Sequence, residues 1–328
     1  MTGRVLILGE ADVARLLPMD ECVDVMAEAL EALERGDMEQ PLRFVVRPAE
    51  AAGLMGLMPA YRSRPAAAYG LKAVCVFPGN PARGLDAHQG AVLLFDGETG
   101  ELRAAVNASA ITAIRTAAVS GVATRLLARE DARRLAILGA GVQARSHLAA
   151  MAVARPFERA RIWSRTPEHA RALAAEAEAP FPVEAATSAE EAVRGADVVC
   201  TTTSSPEPVL RRVWLRAGAH VNAVGSSIPT TRELDTETMA AAALFVDRRE
   251  STVNEAGDFL FPQREGAIGP EHIRAELGEL LAGSAEGRTS PDELTVFKSL
   301  GLAVEDLAAA EHLYRRARET GAGTEVDL

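Results

Sequence analysis

The segment LAILGAGVQA (135–144) joins an apolar strand to a glycine-rich turn, a pattern typical of a phosphate-binding site. Gly139 allows a tight turn, and Gly141 lets the backbone approach a pyrophosphate because no Cβ stands in the way. The N–H groups of Val142 and Gln143, at the start of the next helix, would face the phosphates, where the helix dipole favours negative charge. Since a further strand, ARIWS, follows that helix, the pattern predicts a bound dinucleotide.

The end of the second strand of this βαβ unit decides which dinucleotide fits. A site for NAD carries an acidic residue there, which binds the ribose 2′-OH. This chain has Ser164, Arg165 and Thr166 at that place, without a carboxylate. A guanidinium flanked by hydroxyls suits a 2′-phosphate, so the sequence favours NADP(H) over NAD(H). The alternative, that Arg165 is only a solvated loop residue, leaves the missing acid unexplained.

Polar and small residues follow the next two long strands. Thr201 and Thr203 end DVVCTTT, and Val224, Gly225 and Ser226 end HVNAVGS. In open α/β sheets, ligands lie outside the carboxyl ends of the strands, so these residues are expected to line the nicotinamide side. For either threonine alone, ordinary packing explains its presence equally well. The two positions together are the stronger indication.

Arginines in apolar surroundings form a second group of candidates. Arg115, followed by Thr116, lies in the mostly apolar helix AITAIRTAAVSG. An unpaired guanidinium would be costly there, so we expect it to meet an anion, either a cofactor phosphate or a substrate carboxylate. Arg43, in the strand-like run LRFVV, is a similar case.

Lysine is scarce in this chain. Among 35 basic residues, only Lys72 and Lys298 are lysines. A need for a compact ammonium at these two positions would explain why they are not arginine, but chance explains two remaining lysines equally well. Lys72 lies in the apolar run GLKAVCVF, where an ammonium needs a partner. His88, in the loop-like segment DAHQG, is a weaker candidate because a lone histidine is more often structural.

Two kinds of structure must position these residues. A helix at Asp20–Arg35 and strand-like runs from 42 to 107 indicate an α+β domain with a largely antiparallel sheet. Beyond a connecting helix at about 110–128, strands and helices alternate up to Lys298, which predicts a Rossmann doubly wound parallel sheet. The helix Gly301–Glu319 is expected to return to the first domain. The predicted domains are therefore 1–113 with 304–328, and 114–303 for the dinucleotide.

Composition excludes several classes of partner. The net charge of −11 argues against binding to nucleic acid or to an anionic membrane surface. No apolar run is expected to reach transmembrane length, and the N-terminal stretch is read as mature sequence because its apolar run is too short for a signal peptide. Three widely spaced cysteines suit a reducing cytoplasm and indicate neither a disulfide framework nor a metal site.

Several segments together resemble the ornithine cyclodeaminase/μ-crystallin family. In order along nearly the whole chain they are PLRFVV, LMPAY, GLKAVCVFPGN, AHQGAVLLFD, ITAIRTAAVSG, ILGAGVQA, HVNAVGSS and VNEAGDF. The resemblance implies NAD(P)-dependent chemistry at an amino-acid carbon, namely cyclodeamination, imine reduction or alanine-type dehydrogenation. It also implies a homodimer formed through the N-terminal domain, which would bind the substrate.

Matching positions carry implied roles. Arg43 and Lys72 match the residues that hold the substrate carboxylate, and Arg115 assists near the nicotinamide. His88 and Glu255 match pocket positions of the μ-crystallin-like branch. Arg115 and Thr116 also match cofactor contacts, and Ser299 is placed among the predicted cofactor contacts as well.

Two departures from the family pattern bear on the reaction. Cyclodeaminases carry an aspartate just after the NAVG strand, where this chain has Ser227, and they tend to have an acidic residue where it has Ser164. Both departures favour the imine-reductase and dehydrogenase branch. Since a serine is not a strong acid or base at neutral pH, the proton would come from Glu255, from His88 or from a water held by Ser227.

The sequence thus predicts an NADP(H)-dependent oxidoreductase that reduces a small imino acid, such as a cyclic ketimine carboxylate, or interconverts an amino acid and its 2-oxo acid. An ornithine cyclodeaminase, with Glu255 replacing the missing aspartate, is the first alternative. A non-catalytic protein that only binds NADPH is the second.

Overall fold

The structure, a computed structural model, describes residues 4–327 and divides into two compact units. The first unit comprises the residues up to Arg115 together with those from Leu302 onward, and the second is Thr116–Gly301. Each unit contains one eight-stranded sheet.

The first unit has a mostly antiparallel sheet. Its strands are β1 (Arg4–Leu8), β2 (Met38–Glu39), β3 (Phe44–Val46), β4 (Leu54–Arg62), β5 (Ala68–Val76), β6 (His88–Asp96), β7 (Leu102–Asn107) and β16 (Thr324–Asp327). Its helices are α1 (Glu10–Leu16), α2 (Met19–Glu34) and α11 (Ala303–Thr320), and α3 (Ala108–Leu127) begins in it. The strand order is β16-β1-β7-β6-β5-β4-β2, with β3 beside β4, and β1 and β7 pair in parallel while the other described strands pair antiparallel.

The two faces of this sheet differ. Along β4, β5 and β6, buried residues alternate with half-exposed ones, as expected when one face is covered. Helix α11 packs on the buried face, and Gly70 lets it come close because a Cβ there would lie 3.1 Å from the Leu307 side chain. The other face is also largely apolar and carries Met55, Leu71 and Phe95.

The second unit has an entirely parallel sheet. Its strands are β8 (Arg134–Leu138), β9 (Arg159–Trp163), β10 (Val183–Ala185), β11 (Val198–Thr201), β12 (His220–Ala223), β13 (Ala243–Val246), β14 (Ile273–Glu276) and β15 (Thr295–Lys298). Its helices, beside the later part of α3, are α4 (Val142–Ala154), α5 (Pro167–Glu176), α6 (Ala189–Val193), α7 (Thr236–Ala241), α8 (Arg249–Glu255), α9 (Gly257–Arg264) and α10 (Leu277–Leu281). Short 3₁₀ helices occupy Asn80–Arg83 in the first unit and Arg212–Trp214 and Pro270–His272 in the second.

The order of this parallel sheet, β10-β9-β8-β11-β12-β15-β13-β14, identifies where a ligand should bind. The chain runs from β8 outward to β9 and β10, then crosses back to β11 on the other side of β8. Ligands of such sheets bind outside the carboxyl ends of the strands at this switch point. The predicted fold class, a Rossmann sheet plus an α+β domain, is confirmed.

Several elements differ from those predicted. The elements β1, α1 and β16 were not predicted, and neither were β14 and β15, because strands of four mostly buried residues show no alternation. His88 does not lie in a loop: it is the first residue of β6 and pairs with Val76. The glycine and glutamine beside it favoured a loop, but pairing with β5 extends the strand through them.

One helix contradicts the expectation about apolar runs. Within residues 4–327, α3 is long and apolar enough to cross a membrane by length and composition alone. Its most apolar window is 61% buried inside the protein, which is usual for a core helix.

Candidate active site

At its first position, the turn after β8 requires a glycine because of the protein's own backbone and neighbouring atoms. Gly139 has φ +121°, and a Cβ there would lie 2.6 Å from the Thr202 hydroxyl. Its N–H donates to the carbonyl of Trp163, the last residue of β9, at 2.8 Å. The turn is therefore held against the end of the neighbouring strand.

Gly141 is different, because nothing in the protein requires a glycine there. It is the N-cap of α4 in an extended conformation, and no atom lies within 4 Å of the position that a Cβ would take. Val142, the first helical residue, is 62% exposed, and the first turn of α4 contains no acidic residue. Open space before a helix N-terminus without a competing carboxylate fits the phosphates of a dinucleotide.

The segment after β9 lies beside this turn, through the hydrogen bond between Gly139 and Trp163. The N–H of Thr166 donates to the Ser164 hydroxyl at 3.3 Å, and α5 begins immediately afterwards with Pro167. Arg165 and Thr166 are exposed. A guanidinium and hydroxyls are therefore available to a ligand that occupies the turn.

Glu233, which was not among the predicted site residues, joins the ends of β11 and β12. This buried carboxylate accepts hydrogen bonds from the Thr201 hydroxyl at 2.7 Å and from both the N–H and the hydroxyl of Thr203, at 2.6 and 2.7 Å. A fourth comes from the N–H of Gly225 at 2.7 Å. Burial and the nearby Asp258 raise the pKa of Glu233. The predicted nicotinamide edge is thus organised around an internal acid.

The residues after β12 form a compact loop. The Ser226 hydroxyl is buried and contacts the Thr231 carbonyl at 2.5 Å, while Ser227 is half-buried. Gly257 packs against this loop so closely that a Cβ would lie 1.8 Å from the Thr231 carbonyl. Gly257 follows the half-buried Glu255 by two residues. The segment that carries Glu255 therefore lies next to the loop that carries Ser227.

Lys298, the second lysine, lies beneath the same edge. Its fully buried ammonium pairs with Asp258 at 3.0 Å and donates to the Ala223 carbonyl at 3.0 Å. Asp258 in turn accepts the N–H groups of Glu233 and Leu234. The next residue, Ser299, is buried and donates its N–H to the same Ala223 carbonyl.

In the first unit, four buried charges form one cluster. The Asp306 carboxylate bridges the Lys72 ammonium at 3.1 Å and the Arg115 guanidinium at 3.0 Å, and Glu305 contacts Arg115 at 2.8 Å. Burial lowers the pKa of Lys72 to about 8, the Asp306 carboxylate opposes this change, and the Arg115 cation adds to it. Two positive and two negative side chains make the cluster neutral, so a ligand anion would meet cations that are already partly compensated.

Arg43 and His88 lie on the face of the sheet that carries Lys72. The pairings of Lys72 with Val92 and of Val76 with His88 place residues 72 and 88 on one face. Arg43 is half-buried and immediately precedes β3. In β3, Val45 pairs with Gly56, and extending this antiparallel register places Arg43 opposite Met58. Met58 is in turn the partner of Lys72. Desolvation and the cations Lys72 and Arg115 lower the pKa of His88.

The sequence profile of the ornithine cyclodeaminase/mu-crystallin family matches residues 4–321. The chain belongs to this family.

Known members of the family are similar to this chain over most or all of their length. Mouse ketimine reductase mu-crystallin is 44% identical over 85% of each chain, and the Delta(1)-pyrroline-2-carboxylate reductase of Bacillus cereus is 37% identical over 99% of this chain and all of its own. Among solved structures, the Delta(1)-pyrroline-2-carboxylate reductase of Thermococcus litoralis, in complex with NADH and L-proline, has a TM-score of 0.94. It is 38% identical and covers 98% of this chain and 100% of its own.

An archaeal alanine dehydrogenase dimer with bound NAD matches with a TM-score of 0.93, at 31% identity over 99% of this chain and 100% of its own. The family prediction from the sequence is therefore confirmed, and with it the expectation of a nicotinamide-dependent reductase.

Two expectations about individual residues need correction. Arg115 pairs with two internal anions, Glu305 and Asp306, whereas a cofactor phosphate or a substrate carboxylate was predicted. The hydroxyls of Thr201 and Thr203 are engaged by Glu233, and Thr201 is fully buried. In this structure the hydroxyls of these polar strand-end residues donate to an internal acid, and their place beside the nicotinamide stays a prediction.

Sequence reasoning also missed the acids that neutralise the cations. Asp306 and Glu305 lie on α11, far along the chain from Lys72 and Arg115. The available signal was the adjacent acidic pair in GLAVEDLAAA, an otherwise apolar helix start. Within residues 4–327, no group of three or more His, Cys, Asp or Glu side chains is placed to hold a metal ion.

Proposed function

We propose that this chain is an NADP(H)-dependent reductase of cyclic imino acids, which converts a ring C=N bond beside a carboxylate into the secondary amine. The observation that carries the proposal is the match across 99% of the chain to the pyrroline-2-carboxylate reductase of Bacillus cereus, over that protein's whole length. Ser227, at the position where cyclodeaminases carry an aspartate, supports reduction over cyclodeamination.

The cofactor is proposed to bind along the carboxyl ends of the parallel strands. Gly139, Gly141, Val142 and Gln143 would hold the pyrophosphate, since the space at Gly141 is open and helix α4 begins there. Thr116, Thr203, Val224, Gly225, Ser226 and Ser299 would surround the nicotinamide half. When bound, the reduced nicotinamide supplies the hydride.

The preference for NADP(H) is proposed from the residues after β9. Arg165 and Thr166 are exposed beside the glycine turn, and Ser164 stands where an NAD site carries an acid. A 2′-phosphate would receive charge-assisted hydrogen bonds from the guanidinium.

The substrate carboxylate is proposed to bind to Arg43, Lys72 and Arg115. Asp306 holds the Lys72 ammonium and the Arg115 guanidinium at fixed distances, which orients both cations before a substrate arrives. The ring carbon of the C=N bond would receive the hydride, the π electrons of that bond would move to the nitrogen, and the nitrogen would receive a proton. Glu255, His88 or a water held by Ser227 would supply that proton.

We further propose that the protein is a homodimer through the first unit. The uncovered face of its sheet is apolar along β4, β5 and β6, and Phe44 and Val46 of β3 are 58% and 53% exposed. Apolar surface of this extent is typical of an interface. Size-exclusion chromatography with light scattering tests this, since a monomer at micromolar concentration would contradict it. The unpaired cysteines and the net charge of −11 favour a cytoplasmic location without nucleic-acid or membrane partners.

The decisive experiment measures NADPH and NADH oxidation with pyrroline-2-carboxylate and piperideine-2-carboxylate, beside ammonia release from ornithine. Reduction of either imine with a preference for NADPH is the expected result. Ammonia release from ornithine without net cofactor oxidation would instead indicate a cyclodeaminase. Tight NADPH binding without turnover of any imine would indicate a binding protein.

A further inference from the structure

We infer that Glu233 is a positioning residue for the proposed reduction, because its carboxylate fixes the two strand ends that would flank the nicotinamide. The inference rests on the proposed function. Glu233 lies in the loop before α7, in the segment TRELD, and its carboxylate has no contact with solvent.

The two carboxylate oxygens of Glu233 accept hydrogen bonds from different donors. One accepts both the N–H and the hydroxyl of Thr203, just after β11. The other accepts the N–H of Gly225, just after β12, together with the Thr201 hydroxyl at the end of β11. A Cβ on Gly225 would lie 2.0 Å from the Thr203 carbonyl, so the two segments are as close as their backbones allow.

A second layer holds Glu233 in place. Its own N–H donates to Asp258 at 2.8 Å, Asp258 pairs with Lys298 at 3.0 Å, and Lys298 donates to the Ala223 carbonyl. From Gly225, just after β12, the contacts therefore run through Glu233 and Asp258 to Lys298, the last residue of β15. They return from Lys298 to Ala223, the last residue of β12. Three adjacent strands, β11, β12 and β15, are therefore tied at their carboxyl ends by one buried network.

The same network supports the loop that carries Ser227. Gly225 and Ser226 begin this loop, and Glu233 follows its end. Gly257, beside Asp258, donates its N–H to the Ile228 carbonyl at 3.2 Å. A displaced Glu233 would therefore move Ser227 and the neighbouring Glu255 segment, while the glycine turn after β8 makes none of these contacts.

Substitution E233Q tests the inference sharply. Each carboxylate oxygen faces one main-chain N–H, from Thr203 or from Gly225, and a main-chain N–H cannot reverse. Either orientation of the glutamine amide therefore places its NH₂ group against a donor, and one strand end must shift. Thr201→Val, which removes a single buried hydroxyl donor, is the milder variant if E233Q does not fold.

Asp197 provides a matched control at the opposite edge of the sheet. This buried carboxylate also accepts hydrogen bonds from two main-chain N–H groups, those of Arg133 and Arg134, and from the guanidinium groups of Arg129 and Arg216. It lies at the amino ends of β8 and β11, away from the carboxyl ends where the ligand is proposed to bind.

We expect kcat for imine reduction to fall about a hundredfold in E233Q, as for a displacement of about 1 Å near the reacting atoms. The Kd for 2′-phospho-ADP-ribose, which lacks nicotinamide, should stay within about twofold, and D197N should keep its kcat while losing stability. A wild-type kcat in E233Q, or an equal loss in D197N, would overturn the inference.

Hydrogen exchange of the amides of residues 225–231 separates this inference from the proposed function. Faster exchange there in E233Q than in D197N is expected whether or not the wild type reduces an imine. If exchange in folded E233Q, or in Thr201→Val where E233Q does not fold, matches the wild type, the positioning role is wrong. If the wild type neither binds NADPH nor reduces an imine, the proposed function is wrong instead.

Discussion

The charge of Lys72 makes the proposed reaction depend on pH in a predictable way. Burial lowers the pKa of Lys72 to about 8, from an ordinary value of 10.5. If the ammonium holds the substrate carboxylate, it is about 90% charged at pH 7 and about 10% charged at pH 9. We therefore expect kcat/KM for the imine to fall about tenfold between pH 7 and pH 9, mainly through KM.

Loss of the fold does not produce this decline. Because the folded pKa lies below the unfolded one, the unfolded chain binds more protons between about pH 8 and 10.5, and this residue makes folding more favourable as pH rises through that window. A thermal melt at each pH checks the point, since the contribution of Lys72 to stability should not decrease above pH 8.

The variant Lys72→Arg identifies the titrating group. A guanidinium stays charged throughout this range, so the variant should have a lower kcat/KM at pH 7, because its geometry differs, but a flat profile up to pH 9. Lys72→Met should be poor at every pH. If Lys72→Arg declines above pH 8 as the wild type does, the titration belongs to the imine substrate or to another residue, and the reasoning fails.

The remaining predictions concern four other positions. Gly141→Ala should leave the melting temperature unchanged, because its Cβ meets nothing in the protein, yet weaken NADPH binding by calorimetry. Arg165→Asp should weaken NADPH by about ten- to hundredfold and NADH far less; equal losses would contradict the 2′-phosphate site. Burial raises the pKa of Glu311 from 4.5 to about 7, so the folded protein loses stability as pH rises through this range. Glu311→Gln should therefore be up to about 3 kcal/mol more stable than the wild type at pH 8, with little difference at pH 4. Lys298→Arg should lower the free energy of urea unfolding by about 1–3 kcal/mol, whereas the same exchange in reverse at the exposed Arg171 should change it little.

The strand–helix–strand unit that contains the glycine turn was predicted because its signal is local. Gly139, Gly141 and the end of β9 lie within one βαβ unit, where turn geometry and strand periodicity are readable from neighbouring residues. The pairing of Lys72 with Asp306 joins residues 234 positions apart, and no local pattern reports such a contact. Glu233 was not predicted for the same reason, since its contacts are with two strand ends that only the folded sheet brings together.

The two lysines now have a physical explanation that their scarcity alone did not provide. Lys298 is fully buried between two acceptors, the Asp258 carboxylate and the Ala223 carbonyl. A guanidinium has five N–H donors and would leave several unsatisfied there, which is costly in a buried site. Lys72 is 4% exposed and pairs with Asp306, in a cluster that already contains Arg115. Both sites therefore favour a compact ammonium, in a chain that uses arginine for its other cations.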